Sequence, residues 1–177
     1  MKKLKGFLFL LTIFSSITLL GQSASKEAKI IADALEAKAD FIRTDAGLSK
    51  WFNSSYGYVI FPNVGKGGIG IGGAAGNGIV YQGGRMIGKA KMTQVSVGFQ
   101  WGGQAYREVI FFETKQALDR FRDSKFELAA QVSAVAATAG ASANAKYRDG
   151  VAVFTQQKGG LMYEAAVGGQ KFKYTSF

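Results

Sequence analysis

The chain has 177 residues, with 22 lysines and arginines against 12 acids, and neither cysteine nor histidine. That composition excludes disulfides, the thiolate and imidazole ligands of zinc, copper or iron, and any nucleophile driven by a histidine. Twenty-four glycines, one proline and 14 phenylalanines fit closely packed β-structure rather than disorder.

Met1, Lys2, Lys3, Leu4 and Lys5 precede an apolar run from Phe7 to Leu11. The run resumes through Ile13, Phe14, Ile17, Leu19 and Leu20, and small residues follow from Gly21 to Ser25. This is the three-part pattern of a secretory signal, and its apolar part is shorter than the ~20 residues a spanning helix needs. Residues 1–24 are therefore expected to be a signal peptide, cleaved between about 21 and 25, with one domain at 26–177. No cysteine follows the run, so the expectation is an exported protein, periplasmic or extracellular, without a lipid anchor. Three lysines and no acid leave with the signal, so about +7 remains, a balance that favours anionic partners.

From Lys26 to about Thr44 the spacing predicts an amphipathic helix with Ile31, Ala34, Leu35, Lys38, Phe41 and Ile42 on one face. A short helix is expected from Leu48 to Phe52, then a strand from Tyr56 to Phe61 that stops at Pro62. Ile69 and Ile71 alternate with Gly68, Gly70 and Gly72, so one strand face carries no side chains and calls for a backbone or ring against it. Gly76-Asn77-Gly78 reads as a hairpin turn with Ile79 to Tyr81 returning. Gln94 to Trp101 alternates, with Val95, Val97, Phe99 and Trp101 expected inward. Arg85, Ile87, Lys89 and Lys91 share that parity, which predicts a bulge or bend between Lys91 and Gln94. Val109 to Phe112 is an apolar strand to be covered on both faces. Thr114 caps a helix that buries Ala117, Leu118 and Phe121. A strand is expected within Val132 to Thr138, and a final hairpin pairs Val151 to Thr155 with Leu161 to Val167. The fold class is α+β: one domain, a mostly antiparallel, curled or barrel-like sheet, an N-terminal helix and one inserted short helix.

Gly68 to Gly73 matches the G-x-G-x-x-G dinucleotide pattern, but the following Ala74 to Gly78 turns instead of opening a helix, and the required acid is missing. Gly83 to Lys89 has P-loop spacing, with Ala90 where a Ser or Thr must hold the metal. No nucleotide, nucleic acid or cofactor is expected, and no spacing suggests an enzyme. Asn53-Ser54-Ser55 fits a glycosylation sequon that nothing else supports. The residues that point to chemistry are cations. Arg85, Lys89 and Lys91 fall on one face of an expected strand, and Lys66 sits in the glycine-rich stretch beside them. Together they form the expected lipid-binding set.

Phe61-Pro62-Asn63, Gly65-Lys66-Gly67-Gly68 and the stretch Thr93 to Gln104 resemble the SYLF-domain family, and the likeness runs from about Ala28 to Phe177. Eukaryotic members bind membrane phosphoinositides and, in yeast, actin; the bacterial ones are exported and described as lipid-binding. The resemblance implies a non-enzymatic domain that binds lipid or a membrane surface, with anionic phospholipid as partner. The other reading is a structural or interaction module of the envelope that binds an acidic protein or polymer. In the eukaryotic relatives a basic N-terminal helix helps to engage lipid. Here Lys26, Lys29, Lys38 and Arg43 share that helix with Glu27, Asp33, Glu36 and Asp40, so it is amphipathic without being basic.

Overall fold

The computed structural model describes residues 24–69, 71–97, 104–124, 126–128, 134–158, 167 and 169–177. The expected signal segment lies outside them apart from residue 24, as do Gly70, Phe99, Trp101 and most of the expected Leu161 to Val167 strand.

Helix α1 covers residues 24–44 and α2 covers Leu48–Ser54. Strands β1 (Gly57–Ile69), β2 (Ile71–Gln82), β3 (Arg85–Val97) and β4 (Gln104–Phe112) follow. Next come α3 (Lys115–Arg122), β5 (Val135–Ala136), a short 3-10 turn at Ala141–Ala143, β6 (Val151–Gln157) and β7 (Lys171–Ser176). The seven strands form one open sheet in the order β5-β6-β4-β1-β2-β3-β7, antiparallel except for the short β5–β6 pair. This is the expected α+β single domain.

The sheet curls strongly. Phe61 on β1 and Phe172 on β7 are separated by two intervening strands, about 14 Å on a flat sheet. Their ring centroids are 5.7 Å apart, which only a curled sheet allows. Segment 126–128 ladders onto β7 through Leu128 N–H to Gln170 O and Gly169 N–H to Leu128 O, while β5 pairs with β6. Segment 126–128 and β5 thus sit at opposite edges of the sheet. The concave side holds Val59, Phe61, Val64, Met92, Ile110, Phe112 and Phe172, stoppered by Leu118 and Phe121 of α3. Thr114 starts that helix by accepting from Ala117 N–H. The convex side holds Tyr58, Ile60, Ile79, Val109, Phe111 and Phe154 under Ala34, Ala37 and Phe41 of α1 and Phe52 of α2. Val109 to Phe112 is accordingly covered on both faces.

Helix α1 is fastened along its length. Glu27 pairs with Lys89, Asn63 donates to Asp33 at 3.0 Å, and Lys38 donates to the Tyr58 hydroxyl at 3.1 Å. Arg107 of β4 meets Asp40 at 2.5 Å, and Gln156 donates to Thr44 at 2.6 Å. Leu35, expected inward, is exposed, because the small Ala34 and Ala37 let the helix lie close on the sheet and turn Leu35 outward.

Four expectations are corrected. Pro62 does not end β1: the register shifts on both sides of it, between Ile60 and Asn63 and between Phe61 and Val64, so its missing N–H falls in a bulge. Gly76 to Gly78 is not a turn. The β1–β2 ladder instead runs on to Gly68 opposite Gly72 and Ile69 opposite Ile71. At Gly78 a Cβ would come within 2.5 Å of the Ile60 carbonyl oxygen and 2.7 Å of the Phe61 ring, so glycine is there for close approach. The phase of β3 is opposite to that expected: Met92 and Gln94 are buried and Val95 is 77% exposed. The bulge lies earlier, since Val80 pairs with Gly88 but Tyr81 with Met86, leaving Ile87 extra. From Gly88 to Val97 the pairing with β2 is unbroken. Of the strand expected within Val132 to Thr138, Val135–Ala136 is the described part.

Gly78→Ala should lower stability by about 2 kcal/mol or more through overpacking, whereas Gly65→Ala, with nothing within 4 Å of its Cβ, should be close to neutral. Urea denaturation of the two variants checks the contrast.

Candidate functional site

Direct cross-strand partners share a face of the sheet, so the register places each expected cation. Lys89 lies opposite Ile79, and Lys91 opposite Asn77, on the convex side. Arg85 lies opposite Gln82; because Ile87 is a bulge residue, Arg85 is turned to the other side. The expected single face of Arg85, Lys89 and Lys91 is therefore broken. Lys66 alternates with buried Val64 and faces Ala74, so it stands half-buried at the concave mouth. Two of the four expected residues stay together.

The structure supplies two more. On β7, Lys173 pairs with Lys91, and Lys171 with Thr93. Lys89, Lys91, Lys171 and Lys173 thus share the convex face of β3 and β7, beyond the cover of α1. Two are partly neutralised: Lys89 by Glu27, and Lys171 by Glu127 at 3.9 Å. No ion pair holds Lys91 or Lys173 among the described residues. Met86 and Val95 lie on the same face and are exposed. Phe177, also exposed, has its ring under the Lys89 ammonium at 5.7 Å. The result is a basic platform with apolar flanks. Its signal in the sequence is the Lys171-Phe172-Lys173 alternation, too short on its own to define a strand.

A family model described as "Ysc84: Las17-binding protein actin regulator" matches residues 93–174. Beta cell expansion factor A of Aeromonas veronii is 28% identical over 159 residues, which cover 87% of this chain and 60% of that protein. The chain thus spans less than two thirds of that relative's length. Over residues 93–174 this chain is thus similar to the SYLF family.

The matched stretch includes Lys171 and Lys173 of the platform, but Lys89 and Lys91 lie just before it. It also carries a buried carboxyl group. Glu108 of β4 points into the concave core between Phe61 and Thr155 and is fully buried. Gln170 donates to its Oε2 at 2.9 Å, and Oε1 has no hydrogen-bond partner among the described residues. The Tyr106 hydroxyl lies 3.5 Å from the same Gln170 nitrogen. Burial raises the Glu108 pKa to about 7, and the Gln170 donor offsets it only in part. Gln170 immediately precedes β7, so this buried carboxyl is part of what joins β4 to the far edge of the curl.

The sign of the resulting pH dependence follows from proton counts. Between the ordinary value of 4.5 and about 7 the folded chain holds a proton that the unfolded chain has lost. Unfolding free energy from this group should therefore fall as pH rises through that window, by about 3 kcal/mol in total. Glu108→Gln, which keeps the shape without the charge, should flatten the slope in urea titrations between pH 4.5 and 8.

Proposed function

We propose that this chain, similar to the SYLF family over residues 93–174, is a non-enzymatic binding domain that engages anionic lipid surfaces, outside the cytosol, through the lysine face of β3 and β7. The observation that carries the reading is the placement of Lys91 directly opposite Lys173. Like charges at facing positions destabilise a strand pair, so the arrangement is costly to the fold and suited to an anion. At ~7 Å along a strand for two residues and ~4.8 Å between strands, the platform fits one or two headgroups. A lysine near an anionic membrane contributes about 1 kcal/mol. Four lysines give roughly millimolar affinity, and exposed Met86, Val95 and Phe177 supply apolar contact beside them.

Co-sedimentation should show preference for anionic over zwitterionic vesicles and weaker binding at high salt. Changing Lys91 and Lys173 together to Gln should reduce binding by about thirtyfold, while Arg85→Gln and Lys66→Gln should leave it near the parent value. Equal binding by the Lys91/Lys173 double variant would remove the platform from the account. Retention on polyglutamate but not on vesicles would favour an acidic envelope partner instead.

A further inference from the structure

The corner where α1 turns into α2 faces the 139–147 stretch across a recess of about 1000 Å³. Its two walls are fixed to each other. Asp45, at the end of α1, accepts from Ser142 N–H at 2.7 Å and from Gly47 N–H at 3.0 Å. Burial works to raise the Asp45 pKa, but these donors, with Gly140, outweigh it and hold the carboxylate below its ordinary value. Gly140 takes a left-handed conformation, φ 78°, that turns the chain back at the rim. A Cβ at Gly47 would collide with the Ser142 side chain. The recess is thus a formed feature of the fold.

Its lining divides into an apolar side and a charged rim. Trp51 and Tyr147 stand against each other, ring centroids 4.9 Å apart, and Trp51 rests on Phe154 at 5.3 Å and Phe111 at 5.6 Å. The indole N–H is engaged by Ser142 O at 3.4 Å, so what the indole offers is its apolar surface. The lining cations are Arg43, Lys50 and Lys146. Asp40 already holds Arg43, whereas no ion pair engages Lys50 or Lys146 among the described residues. The lining acids are Asp45, committed to backbone donors, and Glu113. Counted over the whole lining, three cations against the Asp45 and Glu113 carboxylates leave a surplus of one positive charge. Burial, and Glu113 beside it, push the Tyr147 hydroxyl up to about 12, so it stays a neutral donor.

We infer that this recess is a binding site for a monoanionic amphiphile, a small organic acid with an apolar body. The body lies on Trp51 and Tyr147 and the carboxylate is taken by Lys50 and Lys146. Cavities of ~300–1000 Å³ with mainly apolar walls and a few placed polar groups are the usual form of small-molecule sites. The surplus of one charge matches a single carboxylate and disfavours a cation or a dianion. The site is separate from the lysine platform. Glu27 touches the platform and Asp45 the recess, and 18 residues of helix and helix end set them about 27 Å apart.

Trp51 is the natural reporter, read alone in a Trp101→Phe background. Isothermal titration calorimetry on the unaltered chain gives the same answer should that variant fail to fold. Decanoate should bind saturably, decanol at least about tenfold more weakly, and acetate and decyltrimethylammonium not at all. Lys50→Gln with Lys146→Gln should cost about tenfold in decanoate affinity, the size of one good charge contact, with decanol unchanged. Ala143→Phe, at the exposed rim, should block both. Equal binding of decanoate and decanol, indifference to the Lys50/Lys146 changes, or loss of binding on changing Lys91 and Lys173 would each overturn the assignment. A platform variant that loses vesicles but keeps decanoate shows that the two sites stand or fall separately.

Discussion

The curl of the sheet is the constraint on which the other features depend. Once Phe61 and Phe172 meet across the inside, the concave face becomes a closed apolar core that α3 can stopper with only three buried side chains. Close strand approach makes that possible. Gly78 lies against the Ile60 carbonyl and the Phe61 ring, and Gly88 lies against the β7 backbone with the Tyr174 ring 2.6 Å from where a Cβ would be. Side chains at either point would push neighbouring strands or rings apart. The two bulges, at Pro62 and at Ile87, add local twist in strands too long to curl smoothly.

A curled sheet has an outside larger than its inside, and here the outside is only partly covered. Helix α1 crosses it over β1, β2 and β4, held by the Asp40–Arg107 pair and the flanking hydrogen bonds. The β3–β7 end lies beyond the helix, and there the exposed positions are lysines with a few apolar neighbours. At the opposite end of α1, the turn into α2 leaves the recess that Asp45 braces. Both candidate sites therefore arise where α1 stops covering the sheet, one at each of its ends.

Features set by neighbouring residues were legible in the sequence. The helical spacing of 26–44, the Thr114 cap and the doubly buried Val109 to Phe112 each depend on a few adjacent side chains, and each is present. The phase of β3 was not legible, because it is set by pairing with β2 rather than by its own alternation. Gln94 is buried and Val95 exposed against their individual preferences. One extra residue at Ile87 reverses the face of everything before it, which is why Arg85 parts from Lys89. The cross-strand meeting of Lys91 and Lys173 spans 82 positions of chain and is visible only once β7 is docked. The recess is equally non-local, joining 43–54 to 139–147 through the Asp45 carboxylate and the Trp51 side chain.

The platform's charges are not equivalent, and the difference bears on how the domain responds to an anionic surface. Lys89 and Lys171 each have an acid at hand, and in both pairs the side chains are more than a third exposed or nearly so, where such pairs contribute little. Lys91 and Lys173 repel across one rung of the sheet, and among the described residues no ion pair engages either. That repulsion falls on β7, a strand of six residues held to the sheet by β3 and the 126–128 ladder. An anion placed between the two ammonium groups removes the repulsion only when β7 is docked. Whatever binds there must therefore stabilise the docked strand by the same free energy it gains from the docked arrangement over the undocked one. The binding proposed for the platform would in this way be thermodynamically linked to closure of the curl. The coupling passes through Phe172, whose neighbours in sequence are the two lysines of β7 and whose ring completes the concave core.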